Sequence, residues 1–202
     1  ESIENWHGST CRWYRAFLLR VGEFDNKQLA VVFNDITEQK HEELRKEYLL
    51  KLSDAIRSLA DPAEIQQTAM KLIGEQLCVH RAFYGDMMDD EDTLKVGPGF
   101  ADTVLPLEGY IRFPEFDSDM VSYCKKGQTV VLNDITTDEI IRSDHAKKLM
   151  VTIQAIAAVS VPLLKDGKIK GILSVHQSHP RKLTSLEITL IEETAERTWA
   201  AV

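Results

Sequence analysis

The stretch Ala157–Leu164, Lys165-Asp166-Gly167-Lys168, Ile169–His176 constrains the fold more than any other part of the chain. An Asp-Gly pair between two apolar runs is the strongest short-range signal for a tight hairpin. Both turn positions need φ > 0, and few residue pairs tolerate that. The longest apolar run, Ala155–Leu164, is only about half the length of a membrane span and carries Ser160 and Pro162. It reads as a buried strand. The chain is therefore expected to contain an antiparallel sheet.

Upstream, Arg12–Val21 is strand-like, Gly22–Lys27 is a turn rich in Gly, Asp and Asn, and Gln28–Phe33 is a second strand. Together they predict a hairpin. An isolated hairpin is marginal in water, so residues 1–37 read as the tail of a domain. The apolar run stops at Asn34-Asp35 and passes into a charged run of good helix formers. Glu38–Ala60 is expected to be a helix, with Leu44, Tyr48, Leu52, Ile56 and Leu59 three or four apart on one stripe. A narrow stripe of this kind suits a two-stranded coiled coil as well as packing within the chain.

Asp61-Pro62-Ala63-Glu64 is a helix start, with Asp61 as N-cap and Pro62 at the first helical position. The helix is expected to reach Leu77. Arg81–Met88 and Thr93–Val96 predict a hairpin around Asp89-Asp90-Glu91-Asp92. That acidic tip lacks the ligand spacing, internal Gly and distal Glu of an EF-hand and reads as a solvated turn. Gly97–Pro114 is irregular, Phe116–Lys126 a short helix, Thr129–Leu132 a strand and Asp138–Met150 a helix. Thr184-Ser185-Leu186-Glu187 is a capping box that opens a final helix.

An apolar content of 44% supports a packed core, and a net charge of −8 disfavours non-specific binding to nucleic acid or anionic lipid. The three cysteines, Cys11, Cys78 and Cys124, have no C-x-x-C spacing. That fits a reducing cytoplasm and neither a disulfide framework nor a thiolate zinc site. The chain opens Glu1-Ser2-Ile3-Glu4, without an apolar leader or initiator Met, and is expected to be a cytoplasmic fragment of a longer protein.

From Asp61 on, the element order resembles a GAF domain. Gln128-Thr129-Val130-Val131-Leu132-Asn133-Asp134-Ile135 is similar to its "G-x-P-V-V-V-x-D-I" strand. Ala158–Leu164 with Asp166-Gly167 and Lys170-Gly171-Ile172-Leu173 is similar to its "S-V-P-L … G-x-x-x-G-V-L" hairpin. Asn34-Asp35-Ile36-Thr37-Glu38-Gln39-Lys40 resembles the exit from a PAS domain. The resemblances imply an α+β fold: a GAF-like antiparallel sheet with flanking helices over 61–202, a PAS C-terminal hairpin over 1–37 and a connecting helix over 38–60. PAS–helix–GAF tandems of this kind imply the sensory and relay region of a two-component sensor histidine kinase. The fragment itself would not be an enzyme. Its partners would be a second copy, paired through Glu38–Ala60 and the C-terminal helix, a downstream kinase domain in cis, and a response regulator. Nucleic acid and a direct membrane span are not expected.

Asp144-His145 with Leu149, Ala155 and Ala158, and Val175-His176-Gln177-Ser178-His179-Pro180-Arg181, resemble the chromophore site of phytochrome GAF domains. Where those domains use a cysteine, it precedes the first histidine; here that place is Asp144. The resemblance thus implies no covalent bilin, and leaves the cofactor unknown. The candidate ligand-binding residues are Tyr84, Phe113, Phe116, Met120, His145 and His176. Ordinary core packing of the aromatic and Met residues, and surface or carbonyl-satisfying roles for the histidines, are the competing readings.

Other chemistry is not supported. His41 lacks the downstream Pro of kinase acceptor helices, and His176 and His179 lack a third metal ligand. The Asn-Lys…Phe…Asp-Glu set of cyclic-nucleotide GAF domains is incomplete. Two rivals remain: a cysteine-based GAF enzyme like the free methionine sulfoxide reductases, for which Cys124 is the candidate, and a pure dimerisation scaffold with a filled pocket.

Overall fold

The structure is a computed structural model that describes residues 2–7, 12–21 and 28–202. It divides into two units, Glu1–Tyr48 and Leu49–Val202. In the first unit, β1 (Ser2–His7), β2 (Arg12–Val21) and β3 (Gln28–Asp35) form an antiparallel sheet in the order β1-β2-β3. The expected hairpin is present, with Val21 opposite Gln28 and Tyr14 opposite Asp35. Its turn, Gly22–Lys27, lies outside the described residues, as does Cys11. Strand β1 was not expected; its polar sequence shows little alternation. It holds its register through Trp6 opposite Trp13, with ring centroids 5.7 Å apart, and through Arg15 donating to Glu4. At the sheet exit, the Asp35 carboxylate accepts from the Thr37 backbone N–H and hydroxyl, which turns the chain into helix α1 (Thr37–Arg57).

Along α1 the predicted stripe is largely buried within the chain. Tyr48, Leu49, Leu52 and Ile56 are buried, whereas Leu44 and Leu50 are exposed. The side chains of Tyr48 and Leu52 are covered within the chain, which leaves Leu44 and Leu50 as the exposed leucines of α1.

The second unit is a seven-stranded antiparallel sheet in the order β7-β5-β4-β10-β9-β8, with β6 also on β4. Its strands are β4 (Arg81–Met87), β5 (Thr93–Val96), β6 (Phe100–Ala101), β7 (Gly109–Arg112), β8 (Val130–Leu132), β9 (Ala157–Lys165) and β10 (Lys168–Gln177). The β9–β10 hairpin turns through Asp166 and Gly167, at φ 53° and 73°, as the Asp-Gly signal requires. Helix α2 (Pro62–Leu77), capped by Asp61 accepting from the Ala63 N–H, packs on β4 and on α5 (Ser185–Ala201). The Thr184–Glu187 capping box of α5 is fully formed. Tyr84, Leu173, Val175 and Ile191 are buried on this side.

On the other sheet face lie a 3₁₀ turn (Phe113–Glu115), α3 (Ser118–Lys125) and α4 (Asp144–Thr152). Here the sequence expectations need correction. The helix expected over Asp138–Met150 starts only at Asp144. Before it, Asp134 and Asp138 bond the backbone N–H groups of Thr136 and Ile140, closing local turns that compete with a helix. Likewise the Phe116–Lys126 helix begins at Ser118, because Asp117 caps it. The segment read as irregular contains the short strands β6 and β7. Among the described residues, no helix is long and apolar enough to cross a membrane.

Candidate functional site

Strand parity sorts the side chains at the centre of the sheet. On β10, Ile172, Ser174 and His176 share one face, while Leu173, Val175 and Gln177 share the other. Antiparallel partners share a face, so Phe83 opposite Ser174 joins the first set, and Tyr84 opposite Leu173 joins the second. Ala158 and Ser160 of β9 also belong with His176 and Ser174.

That first face floors a cavity of about 30 Å³. Phe113, Phe116 and Met120 cover it from the 3₁₀ turn and α3, Met150 from α4, and Leu107 and Ile111 from the segment around β7. The polar side chains in the lining are Ser160, Ser174 and His176. The two serine hydroxyls pair at 2.8 Å, and Ser174 Oγ also donates to the Val159 carbonyl. His176 is buried and edge-on to Phe83, with ring centroids 5.1 Å apart. Its Nδ1 lies 3.3 Å from Arg81 Nη1. A guanidinium only donates, so Nδ1 accepts and the proton of the neutral ring sits on Nε2. Burial, and then the Arg81 charge, push the His176 pKa down to about 3. The ring is thus neutral at physiological pH.

Phe113, Phe116, Met120 and His176 come together as the sequence implied. Tyr84 and His145 do not. Tyr84 faces the helix side, where its hydroxyl covers Gly171 so closely that a Cβ there would sit 2.7 Å from it. Its neighbour Phe83 takes the place at the cavity. His145 lies exposed in the first turn of α4. Phe83, Ser160 and Ser174 were missed. Ser174 shares the parity of His176 along β10 and was legible from it, whereas Ser160 was not: an irregularity between Ile169 and Gly171 shifts the β9 register by one residue and brings Ser160 opposite Ser174.

Asp117 fixes the cover. It caps α3 and accepts from the backbone N–H groups of Arg142 and Ser143, at 2.8 and 2.7 Å, just before α4. Burial pushes its carboxyl up, but the donors from Ser143, Asp119 and Arg142 together outweigh that and hold it below the usual range. Cys124 is fully buried, and burial pushes its thiol up to about 12. Burial therefore disfavours its thiolate at neutral pH. No cluster of three or more His, Cys, Asp or Glu side chains able to hold a metal occurs among the described residues. The arrangement suits recognition: an apolar chamber with a neutral imidazole and two hydroxyls at its floor.

Several solved structures share this fold. One is the far-red-absorbing dark state of a protein with bound biliverdin IXα, which is 16% identical over 76% of this chain and 96% of its own, with a TM-score of 0.66. Another is the chromophore-binding domain of a bacteriophytochrome from R. palustris, 15% identical over 98% of this chain and 72% of its own, with a TM-score of 0.65. The GAF domain of a cyanobacteriochrome is 21% identical over 72% and 91%, with a TM-score of 0.60. No curated protein matches the chain.

A tetrapyrrole does not fit this cavity. The cavity's accessible volume of about 30 Å³ falls far below the several hundred of a pocket that holds a drug-sized ligand. Among the described residues no cysteine lines it, and Asp144 stands exposed. The fold has this architecture for a reason shared with many sequences: the family model for the GAF domain matches residues 61–202, and the chain belongs to the GAF family.

Proposed function

We propose that this chain is the sensory and relay region of a cytoplasmic sensor histidine kinase, and that its GAF domain takes a small apolar molecule at the cavity floored by Ser160, Ser174 and His176. One observation carries the reading. The cavity and the final helix lie on opposite faces of the same two strands. Ser174 and His176 face the chamber, while the other side of β9 and β10 carries α5. A ligand that shifts β10 therefore bears directly on the helix that leads out of the domain. It shifts output only by its differential affinity for two states.

The PAS reading of the first unit is supported by its antiparallel strands and by the Asp35–Thr37 turn into α1. It is also supported by exposed Leu29, Val31, Val32 and Phe33, apolar positions on both faces of β3 that a larger domain would cover. The fragment is proposed to be non-enzymatic. It would pair with a second copy through the outer side of α1, around Leu50, and through α5, and would act on a kinase domain in cis and a response regulator.

The small cavity also favours a second reading, a scaffold whose pocket is filled by its own side chains. Native and denaturing mass spectra of the protein purified without added ligand separate the two. A retained non-covalent mass, with slowed amide exchange in α5, supports the sensor. A bare dimer, with α5 indifferent to any small apolar molecule added, supports the scaffold. A bare monomer contradicts pairing.

A further inference from the structure

Arg81 is 2% exposed, yet among the described residues no carboxylate pairs with it. A buried cation without an anion is costly, and such groups are normally paired or satisfied by charge. Here every acceptor is neutral. Nη1 donates to the Ile153 carbonyl at 2.8 Å and meets His176 Nδ1. Nε and Nη2 both donate to one atom, the carbonyl oxygen of Leu105, at 3.0 and 2.6 Å. This Nε–Nη2 edge is the fork that matches a carboxylate with two parallel bonds.

The residue that holds the fork is poorly held itself. Leu105 is 77% exposed in a segment without regular structure that starts after Thr103, a non-glycine residue at φ 62°. Among the described residues, the Arg81 guanidinium makes the hydrogen bonds that reach the backbone between 103 and 108 from outside it. Two residues further on, Leu107 lines the cavity. Arg81 is on the cavity face of β4, opposite His176, one side chain away from the chamber.

We infer that the Nε–Nη2 edge of Arg81 is a carboxylate site latched shut by the Leu105 carbonyl, so that the cavity takes a small apolar acid, with its carboxylate displacing Leu105 and releasing residues 103–108. The inference rests on the cavity being a ligand site, and it names the ligand class. It also accounts for the tight chamber: withdrawing Leu107 with the loop enlarges the space that the apolar body enters. The displaced carbonyl is exposed to solvent and regains its hydrogen bonds from water. The buried guanidinium gains the anion it lacks.

The test uses 3-phenylpropionate and its neutral amide, 3-phenylpropanamide, on the whole chain. Binding is followed by backbone amide NMR, and hydrogen exchange is read at Leu105 and Leu107. The expected result is that the acid binds at least tenfold more tightly than the amide, that exchange at Leu105 and Leu107 quickens in the acid complex, and that Arg81→Met removes the preference. The acid–amide comparison on the unmodified protein stands even if Arg81→Met fails to fold. Equal binding of acid and amide without faster loop exchange overturns the latch and leaves the cavity reading intact. Binding of neither overturns the latch and the small-apolar-ligand reading together.

Discussion

Lowering the pH should destabilise this protein through one imidazole. In the folded chain the His176 pKa is pushed down to about 3, by burial first and by the Arg81 charge second, from an ordinary 6.5. Above pH 6.5 the ring is neutral in both folded and unfolded states and contributes no pH dependence. Between 6.5 and about 3 the unfolded chain binds a proton there and the folded chain does not, so stability falls as pH falls. At about 1.4 kcal/mol per pH unit, the loss approaches about 2 kcal/mol near pH 5 and about 5 kcal/mol over the whole window. Typical domains hold about 5–15 kcal/mol in total, so the first of these figures already matters. Urea titrations at about pH 7.5 and about pH 5 on the wild type and on His176→Gln isolate the effect. The glutamine amide oxygen can still accept from Arg81 but does not titrate. Carboxylates common to both proteins cancel in the difference. The wild type should lose about 2 kcal/mol more than the variant between the two conditions. Equal losses would refute the argument, since His176 would then be solvated or paired in a way that the buried geometry excludes.

Gly74, buried on α2, would place a Cβ 2.2 Å from Cδ1 of Phe100, so Gly74→Ala should destabilise by about 1–2 kcal/mol despite the better helix propensity of alanine. In a Phe100→Ala background the same change should stabilise by up to about 1 kcal/mol, and thermal melts of the four proteins would show the reversal. Cys124 should resist iodoacetamide at neutral pH until denaturant is added, while exposed Cys78 is labelled in the native protein; peptide mass mapping that finds equal native labelling would contradict the burial-raised thiol. Asp117→Ala removes the acceptor for the backbone N–H groups of Asp119, Arg142 and Ser143, and should cost about 3 kcal/mol, with faster amide exchange at 142 and 143.

What could be read in the sequence was what local chemistry decides. Asp166-Gly167, the Asp61 cap and the Thr184–Glu187 box each specify backbone geometry within a few residues, and each is present as expected. The misread segments fail for a physical reason too. Between Asp134 and Ser143 the side chains of Asp134 and Asp138 take the N–H groups that a helix would have used, and a periodicity argument does not see that competition. Strands β1, β6 and β7 are polar or very short, so they carry little alternation.

The site itself depends on parity. His176 and Phe83 meet because β10 and β4 pair Val175 with Ala82, and a shift of one residue would have put Tyr84 in the chamber instead. Nothing in the local sequence around Phe83-Tyr84 chooses between them. The register that decides is fixed by the whole β4–β10 ladder, including Gly171, whose missing side chain makes room for the Tyr84 ring on the opposite face. The same ladder sets Arg81 opposite His176, although a lone arginine at the start of a strand looks like a solvated end when read along the chain. Its significance appears only when the pairing buries it beside a neutral imidazole and a loop carbonyl. The fold of this domain is thus written in its turns and caps, whereas the chemistry of its cavity is written in strand register, which a single sequence encodes only through the sum of many weak pairings.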